Sequence, residues 1–299
     1  MSLRLPAALL ALGLLAGCAT APRQPAATLP AAMPAAAAVP ATVAANDNLN
    51  AVAWSQTAIE HDLIYLQTFR DAQAQLLTAL HDRHWDALGK GDRTTPLAGL
   101  KPAVILDVDE TVLDNSPFAA RGVRGGSEYN EAEWAAWCRE ERARALPGAV
   151  EFTRFAAKHG IAVIYISNRA KDLDQATLAN LRKAGLPVSG PQAFLGLGTV
   201  VDGCEQAGSE KGCRRQLVAR HYRVLMQFGD QIGDFVDVLA NTADGRRKAV
   251  ADYLPWVGTR WFVLPNPTYG SWEPALFNND WSLSPGQRRQ QKLDALRAE

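Results

Sequence analysis

A chain of 299 residues holds one good-sized domain or two small ones, and 47% hydrophobic with 21% charged residues is the make-up of a globular protein. Lysine plus arginine and aspartate plus glutamate both number 31, so the formal net charge is zero. No broad positive field draws in a nucleic acid polymer, and any phosphate recognition must be local.

The first residues read as a targeting segment. Arg4 precedes an apolar run over 5–16, too short to span a bilayer and suited to the core of a signal peptide. The run ends in Leu15-Ala16-Gly17-Cys18, small residues before a cysteine, which resembles a lipobox. Residues 1–18 are then expected to be a lipoprotein signal peptide, cleaved before a lipidated Cys18. Ala19 follows in place of an aspartate, which in a Gram-negative source implies an outer-membrane lipoprotein. Residues 19–48, rich in Ala and Pro, read as a tether without a core. In an exported chain Cys204 and Cys213 could bridge, leaving Cys138 as a buried thiol.

Residues 46–80 read as one long helix, because Ile59, Leu63, Leu66, Phe69, Ala72, Leu76 and Leu80 recur every three or four positions. A loop over 89–99 leads to 103–106, an apolar run of the kind that fills a buried parallel strand, entered through Pro102. Residues 116–126, with Pro117 and three glycines, read as a loop over the site. A helix is expected over 130–145, and another over 149–159 ended by Gly160. The second buried strand, 161–166, ends in Ser167-Asn168-Arg169. Then come a helix over 172–184, a short strand over 194–197, a helix over 213–222, a strand over 224–228 and a last strand over 261–264. Strands alternating with helices argue an α/β fold, a parallel sheet wrapped on both faces.

The chemistry gathers at the carboxyl ends of these strands, where open α/β sheets bind ligands. Asp107 and Asp109 follow the apolar run directly, and for both side chains and the Asp109 carbonyl to surround one small volume the chain must curl just after Asp107. The Asp107 side chain, the Asp109 carbonyl and Asp230 offer oxygen only, which suits a hard cation such as Mg²⁺. Asp234, one helical turn after Asp230, can join them on the same face and hold a metal-bound water. An aspartate at Asp107 can attack phosphorus, Ser167 can donate to a phosphate oxygen, and Lys211 can offset negative charge on the transferring group. Taken singly, Ser167 also reads as a strand-end serine, Lys211 as a surface lysine and Gly229-Asp-x-x-x-Asp234 as a helix cap.

Asp107-Val-Asp-Glu-Thr111 after an apolar strand, followed in order by Ser167, Lys211 and Gly229-Asp-x-x-x-Asp234, resembles the haloacid-dehalogenase-like (HAD) phosphatases. Leu146-Pro-Gly-Ala-Val-Glu-Phe152, Tyr165-Ile-Ser-Asn-Arg169 and Leu264-Pro-Asn-Pro-Thr-Tyr-Gly-Ser-Trp272 make it similar, over about residues 50–280, to the class C acid phosphatases, bacterial surface lipoproteins that cleave nucleoside monophosphates. Phe118 stands where that family usually has Tyr, and Gln231-Ile232 where it has Asn-Leu.

The resemblance implies a HAD-like core over 100–115 and 147–268, inside a phosphatase domain of 49–285. A small helical cap would come from 49–99, 116–146 and the C-terminal segment, with a charged tail over 286–299. It implies a Mg²⁺-dependent phosphomonoesterase in which Asp107 is the nucleophile, Asp109 the acid and then base, and Asp107, Asp109, Asp230 and Asp234 the metal site. Thr111, Asn168, Tyr129, Trp134, Tyr269 and Trp272 would meet the substrate, with Trp134 and a tyrosine stacking on a nucleoside base. The partners expected are a small phosphomonoester and, through Cys18, a membrane. A surface lipoprotein that binds a phosphorylated ligand without chemistry, or a phosphotransferase, would use the same scaffold.

Overall fold

The computed structural model describes residues 45–298. Cys18, its signal peptide and most of the tether lie outside the described residues.

Helices α1 (Leu49–Thr57) and α2 (Ile59–His81) lead to strand β1 (Lys101–Leu106) and the short β2 (Leu113–Asp114). Then follow α3 (Ser116–Gly125), α4 (Glu131–Glu140), β3 (Arg144–Ala145), α5 (Ala149–Lys158), β4 (Ala162–Ala170) and α6 (Asp174–Lys183). The second half contains β5 (Phe194–Leu197), α7 (Gly212–Ala219), β6 (Tyr222–Gly229), α8 (Ala243–Val250), β7 (Trp261–Val263) and α9 (Pro285–Asp294). The five long strands form one parallel sheet in the order β5-β4-β1-β6-β7, and β2 pairs antiparallel with β3.

Burial on both faces explains the unbroken apolar strands. Val104 and Leu106 of β1, with Val163 and Tyr165 of β4, face a layer that includes α2, α5 and α6. Ala103 and Ile105, with Ile164 and Ile166, face the other layer with Val218 and Ala219 of α7. Order β4-β1-β6 places the ends of three motif-bearing strands side by side.

The long N-terminal helix is two helices, because Ala58 is extended (φ −80°, ψ 122°) and breaks the run. The buried stripe of α2 is also rotated from the expected one. His61, Tyr65, Phe69, Ala72, Leu76 and Ala79 are buried, whereas Ile59 and Leu63 are 62% and 53% exposed. Two interactions fix the helix this way. Tyr65 donates its hydroxyl to the carbonyls of Glu110 and Pro265, and Phe69 stacks on Phe228 of β6 at 5.3 Å. A buried phenol with good acceptors outweighs two leucine-type side chains that remain in water. Phe69 also meets Phe152 of α5, so α2 packs against the layer that covers this face of the sheet.

Residues 116–126 are not a loop but α3. Pro117 sits in its first turn, where a missing N–H is harmless, and Gly126 closes it in the left-handed conformation (φ 63°). Residues expected to break a helix bound one instead. The helix expected over 130–145 ends at Glu140, its start capped by the Asn130 side chain, and its tail becomes β3. The charged stretch 244–248 is helical, as α8, capped by Thr242. Cys204 and Cys213 form a disulfide, and Cys138 is a buried free thiol.

Candidate active site

β1 ends at Leu106, and the chain curls at once. The amides of Val112 and Leu113 donate to the Val108 carbonyl, at 3.0 and 2.9 Å, and Glu110 takes a positive φ of 52°. The curl brings the Asp107 and Asp109 side chains to one end of the sheet, each with different partners.

Asp107 meets Lys211, whose buried ammonium also donates to Asp234 (2.7 Å) and to the Ile166 carbonyl (2.8 Å). Asp107, Asp230 and Asp234 present carboxylate oxygens within 4.8 Å of one another. Gly229 allows the approach of Asp234, since a Cβ there would lie 2.1 Å from its Oδ2. Asp230 is held by Thr111 Oγ1 (3.3 Å), Gln231 Nε2 (2.9 Å) and Asn266 Nδ2 (2.9 Å). Three carboxylates against one ammonium leave excess negative charge. Burial pushes Asp107 well above the usual carboxylate range against the pull of Lys211, and burial with the Asp234 charge pushes Asp230 to about 7. An all-oxygen cluster with surplus negative charge is what a hard divalent cation relieves, so these residues fit one.

Asp109 sits in a second network. Its carboxylate accepts from Ser167 Oγ (3.1 Å), Asn115 Nδ2 (2.8 Å) and the Arg169 guanidinium, with Nη2 at 2.7 Å and Nε at 3.0 Å. Asn115 is in turn held by Trp137 Nε1 at 2.8 Å. Side chains two apart on a strand share a face, so Ser167 and Arg169 both reach Asp109 while Asn168 turns away, exposed and bonded to Arg214. The structure therefore gathers Asp107, Asp109, Thr111, Ser167, Lys211, Asp230 and Asp234, and leaves Asn168 outside.

The aromatic residues form two groups. Trp134 is edge-on to Phe118 at 5.1 Å, Tyr129 is edge-on to Phe118 at 6.3 Å, and the Arg169 guanidinium lies 5.4 Å from the Trp134 ring. Tyr129 is 64% exposed, with its hydroxyl on Glu131. Tyr269 donates to the buried Glu110 carboxylate, and Trp272 donates to the Tyr269 carbonyl at 3.1 Å. Arg169, Asn115, Glu110 and Asn266 were not among the residues expected at the site. Period-two alternation from Ser167 was the available signal for Arg169; Glu110 and Asn266 lie inside the motifs that carry the family resemblance, and nothing local marks Asn115.

A sequence model of the HAD superfamily, subfamily IIIB (acid phosphatase), matches residues 29–272. The chain belongs to this family. Its structure is similar to that of the class C acid phosphatase from Bacillus anthracis, solved with tungstate bound, with a TM-score of 0.72 and 32% identity over 84% of this chain and 97% of that one. It is also 30% identical over 166 residues to the stem 31 kDa glycoprotein of Glycine max, and 26% identical over 166 residues to acid phosphatase 1 of Solanum lycopersicum. The match spans 58% and 57% of those two plant relatives. Fold and family are those of the acid phosphatases.

Proposed function

We propose that this chain is a Mg²⁺-dependent phosphomonoesterase that acts on nucleoside monophosphates and other organic phosphomonoesters. The observation that carries the reading is the buried Asp107–Lys211 pair inside a cluster of carboxylates, beside an Asp109 held by separate partners. An Asp107 oxygen attacks phosphorus, and the ester P–O bond breaks with its electron pair on the leaving oxygen. Asp109 protonates that oxygen, then takes a proton from the water that cleaves the aspartyl-phosphate and releases Asp107. Lys211 and Ser167 meet charge on the equatorial oxygens. Asp107, Asp230, Asp234 and the Asp109 carbonyl would hold the ion, which supplies Lewis-acid stabilisation when bound.

Trp134 and Tyr269 are offered as the groups that hold a base, with Tyr129 and Trp272 beside them. Class C acid phosphatase is the description of the similar solved structure, and it supports a phosphomonoester substrate. Through Cys18 the enzyme would be anchored at the outer membrane. The test is phosphate release from a panel of nucleotides and sugar phosphates between pH 5 and 8, with Mg²⁺ or with a chelator. Full activity without metal, or none on any phosphomonoester, refutes the proposal.

A further inference from the structure

Lys211 and Arg214, one turn apart at the start of α7, donate to the carbonyls of two successive residues, Ile166 (2.8 Å) and Ser167 (2.6 Å). The β4–β5 register is interrupted between Ile166 and Ala170, so these strand-end carbonyls take their donors from elsewhere. Arg214 is fully buried. Its Nη2 donates to Asn168 Oδ1 at 2.7 Å and to the carbonyls of Ser209 and Glu210, each at 3.2 Å. One guanidinium thus ties the strand end that presents Ser167 to the loop that delivers Lys211. All four acceptors are neutral, and Nε has no partner among the described residues. Arg215, next in sequence, differs: it is paired with Asp92 and Asp237. Burial draws the Arg214 pKa down to about 10, so it stays charged at neutral pH. No carboxylate touches this buried cation, although Asp107, Asp234 and Asp237 act on it through space, and an arriving phosphate dianion would add a closer counter-charge.

We infer that Arg214 is a positioning residue for the transferring phosphoryl group, holding Ser167 and Lys211 in one frame and adding a positive charge that no carboxylate contacts directly. The inference rests on the phosphatase reading of the site. Its test is calorimetric binding of inorganic phosphate, in Mg²⁺, to the full chain and to Arg214→Lys and Arg214→Ala. Alongside go kcat and KM for a nucleoside monophosphate and for a small alkyl phosphate. Lysine keeps the charge but not the fork that reaches four acceptors. Both variants should bind phosphate at least ~10-fold more weakly and lose at least ~10-fold in kcat on both substrates, with the ratio of the two KM values unchanged. Added guanidinium ion should restore phosphate binding to Arg214→Ala. If that variant does not fold, Arg214→Lys decides. A folded Arg214→Lys within about twofold of wild type in affinity and kcat, whatever its melting temperature, overturns the inference. A wild-type chain that binds phosphate but hydrolyses neither substrate overturns the proposed function, and the binding arm still decides on Arg214. A wild-type chain that binds no phosphate overturns both.

Discussion

Asp107 and Asp109 lie two positions apart and end in unlike surroundings, one against an ammonium and carboxylates, the other under a guanidinium and two neutral donors. On the proposed reading Asp107 is the nucleophile and Asp109 the acid. Asp107→Asn should lower kcat/KM by at least about 10³-fold, since an amide forms no acyl phosphate; near-wild-type phosphate release would refute the assignment. The two tryptophans of α4 divide as well. Trp134 is half-buried beside Phe118, whereas Trp137 is buried and holds Asn115. Trp134→Ala should raise KM for nucleoside monophosphates by roughly 5- to 100-fold while a small alkyl phosphate barely responds. Trp137→Ala should instead destabilise the fold by about 3–5 kcal/mol and slow both substrates, because the cavity frees Asn115. Equal losses on both substrates from Trp134→Ala would mark that ring as structural.

At the scale of elements, α7 concentrates the wiring. Its first turn includes Cys213, bridged to Cys204 nine positions earlier, next to Lys211, Arg214 and Arg215. Closing so short a loop restricts the unfolded chain by about 2–3 kcal/mol in the chain-entropy account. Reduction should lower the melting temperature by roughly 5–10 °C and depress kcat, because the loop before Lys211 gains freedom. Calorimetry with and without reductant checks this, and an unchanged transition would show that hydrogen bonds alone hold the loop. Periodicity marked most helices and strands correctly. It failed at α3, where Pro117 and Gly126 are boundary residues, and at α2, where the hydroxyl of Tyr65 decides which face turns inward.

The whole molecule has zero formal net charge, yet one buried end of its sheet gathers Asp107, Asp230 and Asp234. Without metal the cluster opposes folding in a pH-dependent way. Asp230 is raised from 3.8 to about 7 by burial and by Asp234, and Asp107 is raised too. A carboxylate raised in the folded state holds its proton more tightly than in the unfolded chain. The stability it lends is full below pH 3.8 and is lost as pH rises through about 7. The chelated protein should therefore be less stable at pH 7.5 than at pH 5, with Mg²⁺ stabilising it more at the higher pH. Denaturant titrations at both values, with chelator and with Mg²⁺, measure this. A Mg²⁺ effect independent of pH would place the ion elsewhere.

What the sequence determined by itself was local: the apolar runs of β1, β4, β5 and β6, most helices between them, and the order of the acidic, hydroxyl and lysine motifs at strand ends. These depend on side-chain period and on neighbours in the chain, so they can be read without coordinates. The tertiary structure decided which of those ends touch. Asp109 meets Arg169 sixty positions away, and Asp107 meets Lys211 at a separation of 104, because the strand order sets β4 beside β1 and α7 against their ends. Burial then decided function within each motif. In Ser167-Asn168-Arg169 the pleat sends the outer two side chains to Asp109 and the middle one to Arg214; the alternation is local, but which face meets Asp109 is set by the elements around the strand end.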